Sequence, residues 1–156
     1  MAIRRILTKE EDVLHVKCRP VEKFDDKLHQ LLDDMIETLR KAQGVGLAAP
    51  QVGIRRRIAV IILSEEDDPI ELINPVIRKK SGKQRDVEGC LSCPDQWGYV
   101  TRPNRCTVRA QDRNGEFFEL TLEGLGARCA CHEIDHLDGK LFLELVEEFV
   151  DPSEEE

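Results

Sequence analysis

Two histidines stand one helical turn apart in His132-Glu133-Ile134-Asp135-His136, with a glutamate between them. Positions four apart on a helix share a face, so both imidazoles can hold one divalent cation while the glutamate handles a proton. The bland alternative is a pair of surface histidines on an amphipathic helix; against it, Cys129 falls on the same face. A hydrolytic centre of this kind needs a third protein ligand and an open position for water. Only twenty residues follow His136 and none is histidine, which leaves little room for the downstream ligand of metal peptidases. Upstream, Cys90 in Glu88-Gly89-Cys90-Leu91-Ser92 offers a thiolate beside a glycine that permits close backbone approach. A rival set takes Cys90-Leu91-Ser92-Cys93 as a knuckle completed by Cys129 and Cys131 into a closed structural site. That set leaves both histidines idle, and side chains two apart on a helix point in different directions.

The elements that must carry these residues are legible in outline. After the break at Gly124-Leu125-Gly126, residues 127–137 lack Gly and Pro and read as a helix. A second helix is expected over 25–43, where Leu28, Leu31, Leu32, Met35, Ile36, Leu39 and Ala42 mark one buried face and Asp25 or Asp26 can cap the start. Gly44-Val45-Gly46 stops it, and the continuous apolar run 58–63 reads as a buried strand. Two short strands are expected at 71–73 and 76–78, separated by Asn74-Pro75. The runs 105–111 and 117–122 flank the hairpin signal Arg113-Asn114-Gly115. The fold class is α+β: a single compact domain of mostly antiparallel sheets around a metal-binding helix in the C-terminal half, with an N-terminal amphipathic helix.

With 156 residues, 40% of them hydrophobic, the chain has material for one core. Asp and Glu outnumber Lys and Arg by 31 to 23, and the net charge of -8 excludes a domain held to nucleic acid by a broad basic face. The local run Arg55-Arg56-Arg57 reads as the solvated start of a strand. No stretch is apolar enough for an export signal or a membrane span, so the expected location is cytoplasmic and the six cysteines are expected as reduced thiols. Residues 147–156 read as an acidic, solvated tail whose end frays.

Three separated segments resemble the signature motifs of the peptide deformylase family, in that family's order: Gly44-Val45-Gly46-Leu47-Ala48-Ala49-Pro50-Gln51, then Glu88-Gly89-Cys90-Leu91-Ser92, then His132-Glu133-Ile134-Asp135-His136-Leu137. Residues 3–7, Leu72-Ile73-Asn74-Pro75 and Asp138-Gly139-Lys140-Leu141-Phe142 are similar too, so the resemblance covers nearly the whole chain. The short spacing between the first two motifs resembles the shorter bacterial class. The resemblance implies one α+β domain over 1–156 that hydrolyses the N-formyl group from the formyl-methionine of nascent polypeptides and releases formate. It further implies that Cys90, His132 and His136 hold one divalent metal, Fe(II) in the cell, with Zn, Ni or Co as substitutes. Glu133 is then the general base and acid, while the side-chain amide of Gln51 and the backbone N–H of Leu91 donate to the formyl oxygen as it gains charge. Gln51 as a turn-satisfying residue and Leu91 as ordinary core are the competing readings. The glycines of the first motif would let an extended peptide bind by main-chain hydrogen bonds beside Gly46. Val45, Leu125 and Cys129 are candidate walls of a methionine pocket, and each would serve equally well as core.

The chain departs from the family pattern at three places. Cys131 stands where a glutamine usually precedes the first histidine, Cys93 replaces a more usual aliphatic residue, and Trp97 stands where many relatives differ. The two cysteines add oxidisable sulfur near an oxygen-sensitive metal. Trp97 either shapes the rim of the cleft or merely packs. Expected partners are formyl-methionyl nascent peptides, with no direct nucleic-acid specificity and no membrane. Some bacterial relatives dock at the ribosome through a basic C-terminal helix; this chain ends in acidic residues, so any transient ribosome contact should depend little on 147–156. Three rivals remain to be separated. An endopeptidase lacks its downstream ligand, and a structural-metal module gives Glu133 and Gln51 no purpose. A deformylase-like hydrolase of another N-acyl group would differ in pocket size.

Overall fold

The computed structural model describes residues 2–151. Helix α1 (Asp26–Ala42) starts where Asp25 accepts a hydrogen bond from the Leu28 amide at 3.1 Å, and it ends at Gln43 in the left-handed conformation. Its leucines and Met35 pack on strand β2 (Ile58–Ile61). That strand is continuously apolar because both of its faces are covered. Ile58 and Val60 join the core under α1, while Ala59 and Ile61 join the core under helix α2 (Leu125–Leu137).

Strand β2 belongs to a five-stranded antiparallel sheet, ordered β1 (Gly46–Ala48), β2, β3 (Ile70–Ser81), β6 (Arg105–Gln111) and β7 (Phe117–Glu123). A three-stranded sheet is ordered β4 (Gln84–Cys90), β5 (Cys93–Arg102) and β8 (Glu148–Val150). It covers a third core of Leu14, Cys93, Val100, Leu141 and Phe142. The expected α+β architecture, two helices with antiparallel sheets in one compact body, is the one observed.

The structure differs from expectation in four places. Asn74-Pro75 does not separate two strands but bulges one: Asn74 takes a φ of 53° and the register to β6 shifts between Ile73 and Val76. Proline has no N–H for the ladder, and the Asn74 side chain compensates by accepting from the Val21 amide at 2.8 Å and donating to Gln111 Oε1 at 2.8 Å. The β4–β5 hairpin carried no strand signal, because its first strand, QRDVEGC, is nearly devoid of apolar alternation. Arg57 is not simply solvated: it donates to the Leu137 carbonyl at 2.9 Å and to Asp138 at 3.0 Å, a cation at the C-terminus of α2. Finally, residues 148–150 are largely solvent-exposed as expected but do not fray: they form an edge strand, with Trp97 opposite Val150 and Tyr99 opposite Glu148. Glu147 accepts from Arg85 at 2.8 Å and from Thr101, so the acidity of this segment is matched rather than repelled. The remainder of the expected tail, 152–156, lies outside the described residues, and a truncation probing it must begin beyond Asp151.

Candidate active site

α2 buries Ala127, Ala130, Ile134 and Leu137 in the core under the five-stranded sheet. Its remaining side brings His132 and His136 to the end of β4, where Cys90 stands. One ligand atom from each of Cys90, His132 and His136 lies within 4.8 Å of the others, and Cys90 Sγ is 3.3 Å from His136 Nε2. The histidines are 7% and 1% exposed, which disposes of the surface-pair reading. His132 Nδ1 lies 2.9 Å from the Glu88 carboxylate. With that nitrogen donating, Nε2 keeps its lone pair for a cation. Burial holds His136 well below the usual imidazole range, whereas the Glu133 and Glu88 carboxylates raise His132 against the effect of burial. One thiol and two imidazoles converging in a buried space fit a borderline divalent cation, which would take the His132 Nε2 position in place of a proton, and leave a coordination position open. The four-cysteine alternative is not assembled: Cys131 packs in the same buried core as Cys106 of β6, and Cys129 lies beside Gly46. Among the described residues, Cys90, His132 and His136 form the group with metal-binding geometry.

Glu133 is buried beside them, and its Oε1 has no hydrogen-bond partner among the described residues. Burial pushes its carboxyl up to about 7. Gln51 is also buried, in a short 3-10 turn after β1. Its Oε1 accepts from the Ala48 amide at 2.9 Å, which orients the other end of the side chain: Nε2 donates to Ser92 Oγ at 3.0 Å and reaches Cys90 Sγ at 3.6 Å. The turn-satisfying and site-facing readings of Gln51 therefore both hold, one for each end of its amide. Leu91 occupies the two-residue turn between β4 and β5, and its side chain packs with the core under α1. Its side chain is packing; its backbone is held next to Cys90.

A cavity of about 510 Å³ opens beside these groups, lined among others by Val45, Gly46, Leu91, Leu125, Cys129 and Glu133. The three suggested pocket walls are thus brought together. Gly46 has a requirement the sequence did not show. A Cβ there would meet Glu133 Oε2, with Cys129 Sγ at 2.7 Å and Glu133 Cδ at 2.9 Å. Gly46→Ala is expected to push Glu133 aside and lower kcat by about 100-fold, the usual effect of an ångström-scale misplacement. Steady-state assay of metal-analysed protein checks this, and an unchanged kcat would show that Glu133 shifts freely.

The polypeptide deformylase family model matches residues 3–150. The chain belongs to the polypeptide deformylase family. It is 55% identical over 156 residues to a peptide deformylase of Caldicellulosiruptor bescii, covering 100% of this chain and 92% of that protein. It is 52% identical over 151 residues to peptide deformylase 2 of Clostridium acetobutylicum, covering 96% and 99%. The crystal structure of a peptide deformylase from Legionella pneumophila superposes with a TM-score of 0.90 at 45% identity, covering 94% of this chain and 87% of that one.

Behind the histidines of this deformylase lies a buried charge network that sequence reasoning missed. Glu88 accepts from Arg102 at 3.2 and 2.7 Å, from Arg128 at 2.9 Å and from His132. Arg102 also donates to Asp135 at 2.7 Å, and Arg128 to the Val100 carbonyl at 3.0 Å. Burial raises the Glu88 carboxyl, but hydrogen bonds from His132 and Arg102 outweigh it and hold it at about 2. The network fixes the ring and tautomer of His132. Trp97, left open between rim and packing, does both. Its ring covers Gly89 so closely that any Cβ there would strike it, while the side chain is 47% exposed at the cavity edge.

Proposed function

We propose that this chain removes the N-formyl group from the formyl-methionine of nascent polypeptides through a centre in which Cys90, His132 and His136 hold one divalent cation and Glu133 moves the proton. The observation that carries this reading is the convergence, in one buried place, of the three ligand atoms with the Gln51 amide and the Glu133 carboxylate, whose Oε1 has no partner among the described residues. A divalent cation held by Cys90, His132 and His136 would supply Lewis acidity for the hydrolysis. Glu133 would accept a proton from the water that attacks the formyl carbon and return it to the departing amine. Gln51 Nε2 and the Leu91 N–H donate to the formyl oxygen as it becomes an oxyanion. Val45, Leu125 and Cys129 enclose the methionine side chain, and the β1 backbone at Gly46 lies alongside the peptide.

Fe(II) is the cation assigned in the cell, with Zn, Ni or Co as substitutes; the thiol-plus-imidazole donor set supports this class. The partners are formyl-methionyl nascent chains, met by transient contact at the ribosome. The six free thiols support a cytoplasmic setting, and no helix among the described residues is long and apolar enough to cross a membrane.

Turnover of a formyl-Met peptide, beside unformylated and acetylated controls, tests the reading on anaerobically purified, metal-analysed protein. Formate is expected from the formyl substrate alone. Chelation should abolish its release, and Fe(II), Co, Ni or Zn should restore it. Absence of turnover with one tightly bound metal per chain would overturn the assignment, and cleavage of the acetylated control would move it to another acyl group.

A further inference from the structure

We propose that Cys90 and Cys93 form a reversible thiol–disulfide pair, so that a hydroperoxide converts the site's sulfur ligand into a disulfide and releases the metal. The release rests on Cys90 being a metal ligand; the pairing does not. Cys90 closes β4, Cys93 opens β5, and the two are direct partners in the register across the Leu91-Ser92 turn. Directly opposed residues of an antiparallel pair lie about 4.5–5.5 Å apart at Cα. That is inside the roughly 4.4–6.8 Å over which a disulfide closes without moving the backbone. Cys90 is half-buried at the cavity, whereas Cys93 is 1% exposed and packed with Leu14, Val100 and Phe142. An oxidant entering the cavity therefore meets Cys90 first and finds Cys93 behind it. The other cysteines near the site are placed differently: Cys131 faces Cys106, and Cys129 faces Gly46 and Glu133.

The Cys90 sulfur attacks the terminal oxygen of the hydroperoxide, breaking the O–O bond and giving a sulfenic acid and one alcohol, or water where hydrogen peroxide is the oxidant. The Cys93 sulfur then attacks the sulfenic sulfur. The S–S bond forms, the S–O bond breaks, and the hydroxide leaves as water with the Cys93 proton. Two thiols lose two electrons and the peroxide gains them. Thiol exchange with a small dithiol reverses the step, so in a reducing compartment the disulfide is transient. Its effect is to divert Cys90 from the sulfinic and sulfonic acids, which are not recovered by thiols.

The test treats the metal-loaded chain with about one equivalent of hydrogen peroxide, blocks free thiols with iodoacetamide and digests with trypsin. Cleavage after Arg85 and Arg105, with Arg102 protected by Pro103, gives a peptide whose only cysteines are Cys90 and Cys93. That peptide is expected unalkylated and lighter by about 2 Da, with metal appearing in solution to a chromogenic chelator, and dithiothreitol should reverse both changes. In Cys93→Ala, peroxide is expected to leave Cys90 as sulfinic or sulfonic acid, with metal loss that dithiothreitol does not reverse. Cys90 joined instead to the peptide carrying Cys129, or oxidised to an acid beside an alkylated Cys93 in the unsubstituted chain, would overturn the pairing without touching the proposed catalysis. A disulfide that forms while the metal stays bound would keep the pairing and remove Cys90 from the ligand set.

Discussion

Replacing Glu133 with glutamine is expected to lower turnover of a formyl-Met peptide by about 10²–10⁴-fold while the chain keeps its metal and its fold. The expectation comes from what Glu133 does not do. A carboxylate buried to 3% exposure normally repays its desolvation with hydrogen bonds, as Glu88 does, but Glu133 Oε1 has none among the described residues. Its Oε2 lies against the Cα of Gly46, in space that any side chain at 46 would occupy. The backbone of β1 thus leaves room for a carboxylate whose Oε1 gains no hydrogen bond among the described residues. Because desolvation is the main cause of its raised pKa, exchanging the carboxylate for an amide of the same shape removes a burial cost and should leave thermal stability equal or higher. Loss of kcat without loss of Tm or metal is therefore the signature of a proton carrier. Near-parental kcat in the glutamine variant would end its assignment as the general base, and a fall in metal content would make it a ligand instead.

The contrast between Glu133 and Glu88 also shows where the sequence was informative. His132, Glu133 and His136 could be read because their chemistry is local: residue type and helical spacing place them on one face before anything is known of the fold. Cys90 could be preferred over the four-cysteine set because Cys129 and Cys131, two apart on a helix, point in different directions and that set would leave both histidines idle. The packing of Cys131 in the same core as Cys106 of β6 agrees with that preference. Helix α1 was legible to within a residue at its start and end because Asp25 and Gln43 carry capping chemistry. The β4–β5 hairpin was illegible for the opposite reason. A strand normally announces itself by alternating apolar residues, but the buried position of β4 at 88 holds a glutamate whose partners lie far along the chain. Arg128 had one available signal, its place one turn before His132 on the same helix face. Arg102 had none: nothing in its neighbours indicates that it meets both Glu88 and Asp135. Residues 148–150 misled because acidic composition says nothing about pairing when the matching cation, Arg85, comes from another strand.

Removing the Glu88 carboxylate is expected to be the most damaging substitution away from the ligands themselves, costing about 3–5 kcal/mol of stability. One carboxylate receives Arg102, Arg128 and His132, all buried, so Glu88→Ala leaves Arg102 with Asp135 alone, Arg128 with backbone carbonyls alone, and frees the His132 ring. The depressed pKa points the same way. The fall from the ordinary 4.5 to about 2 corresponds to roughly 3 kcal/mol at neutral pH, in line with the cost expected for breaking a buried charge cluster. The sign follows from the direction of the shift. A folded-state pKa below the unfolded one means that this stability is fully present above pH of about 4.5 and is lost as pH falls towards 2. Urea unfolding of the metal-free parent and Glu88→Gln across that range should therefore show the two curves far apart at pH 6 to 7 and converging under acid. Metal affinity supplies the second reading, with a loss of about 10–100-fold expected once His132 Nδ1 has no carboxylate to donate to. A stable Glu88 variant with weakened metal would mean that the arginines find other partners and that the network serves the metal alone; a destabilised variant with unchanged metal affinity would mean that His132 is oriented by helix packing rather than by Glu88.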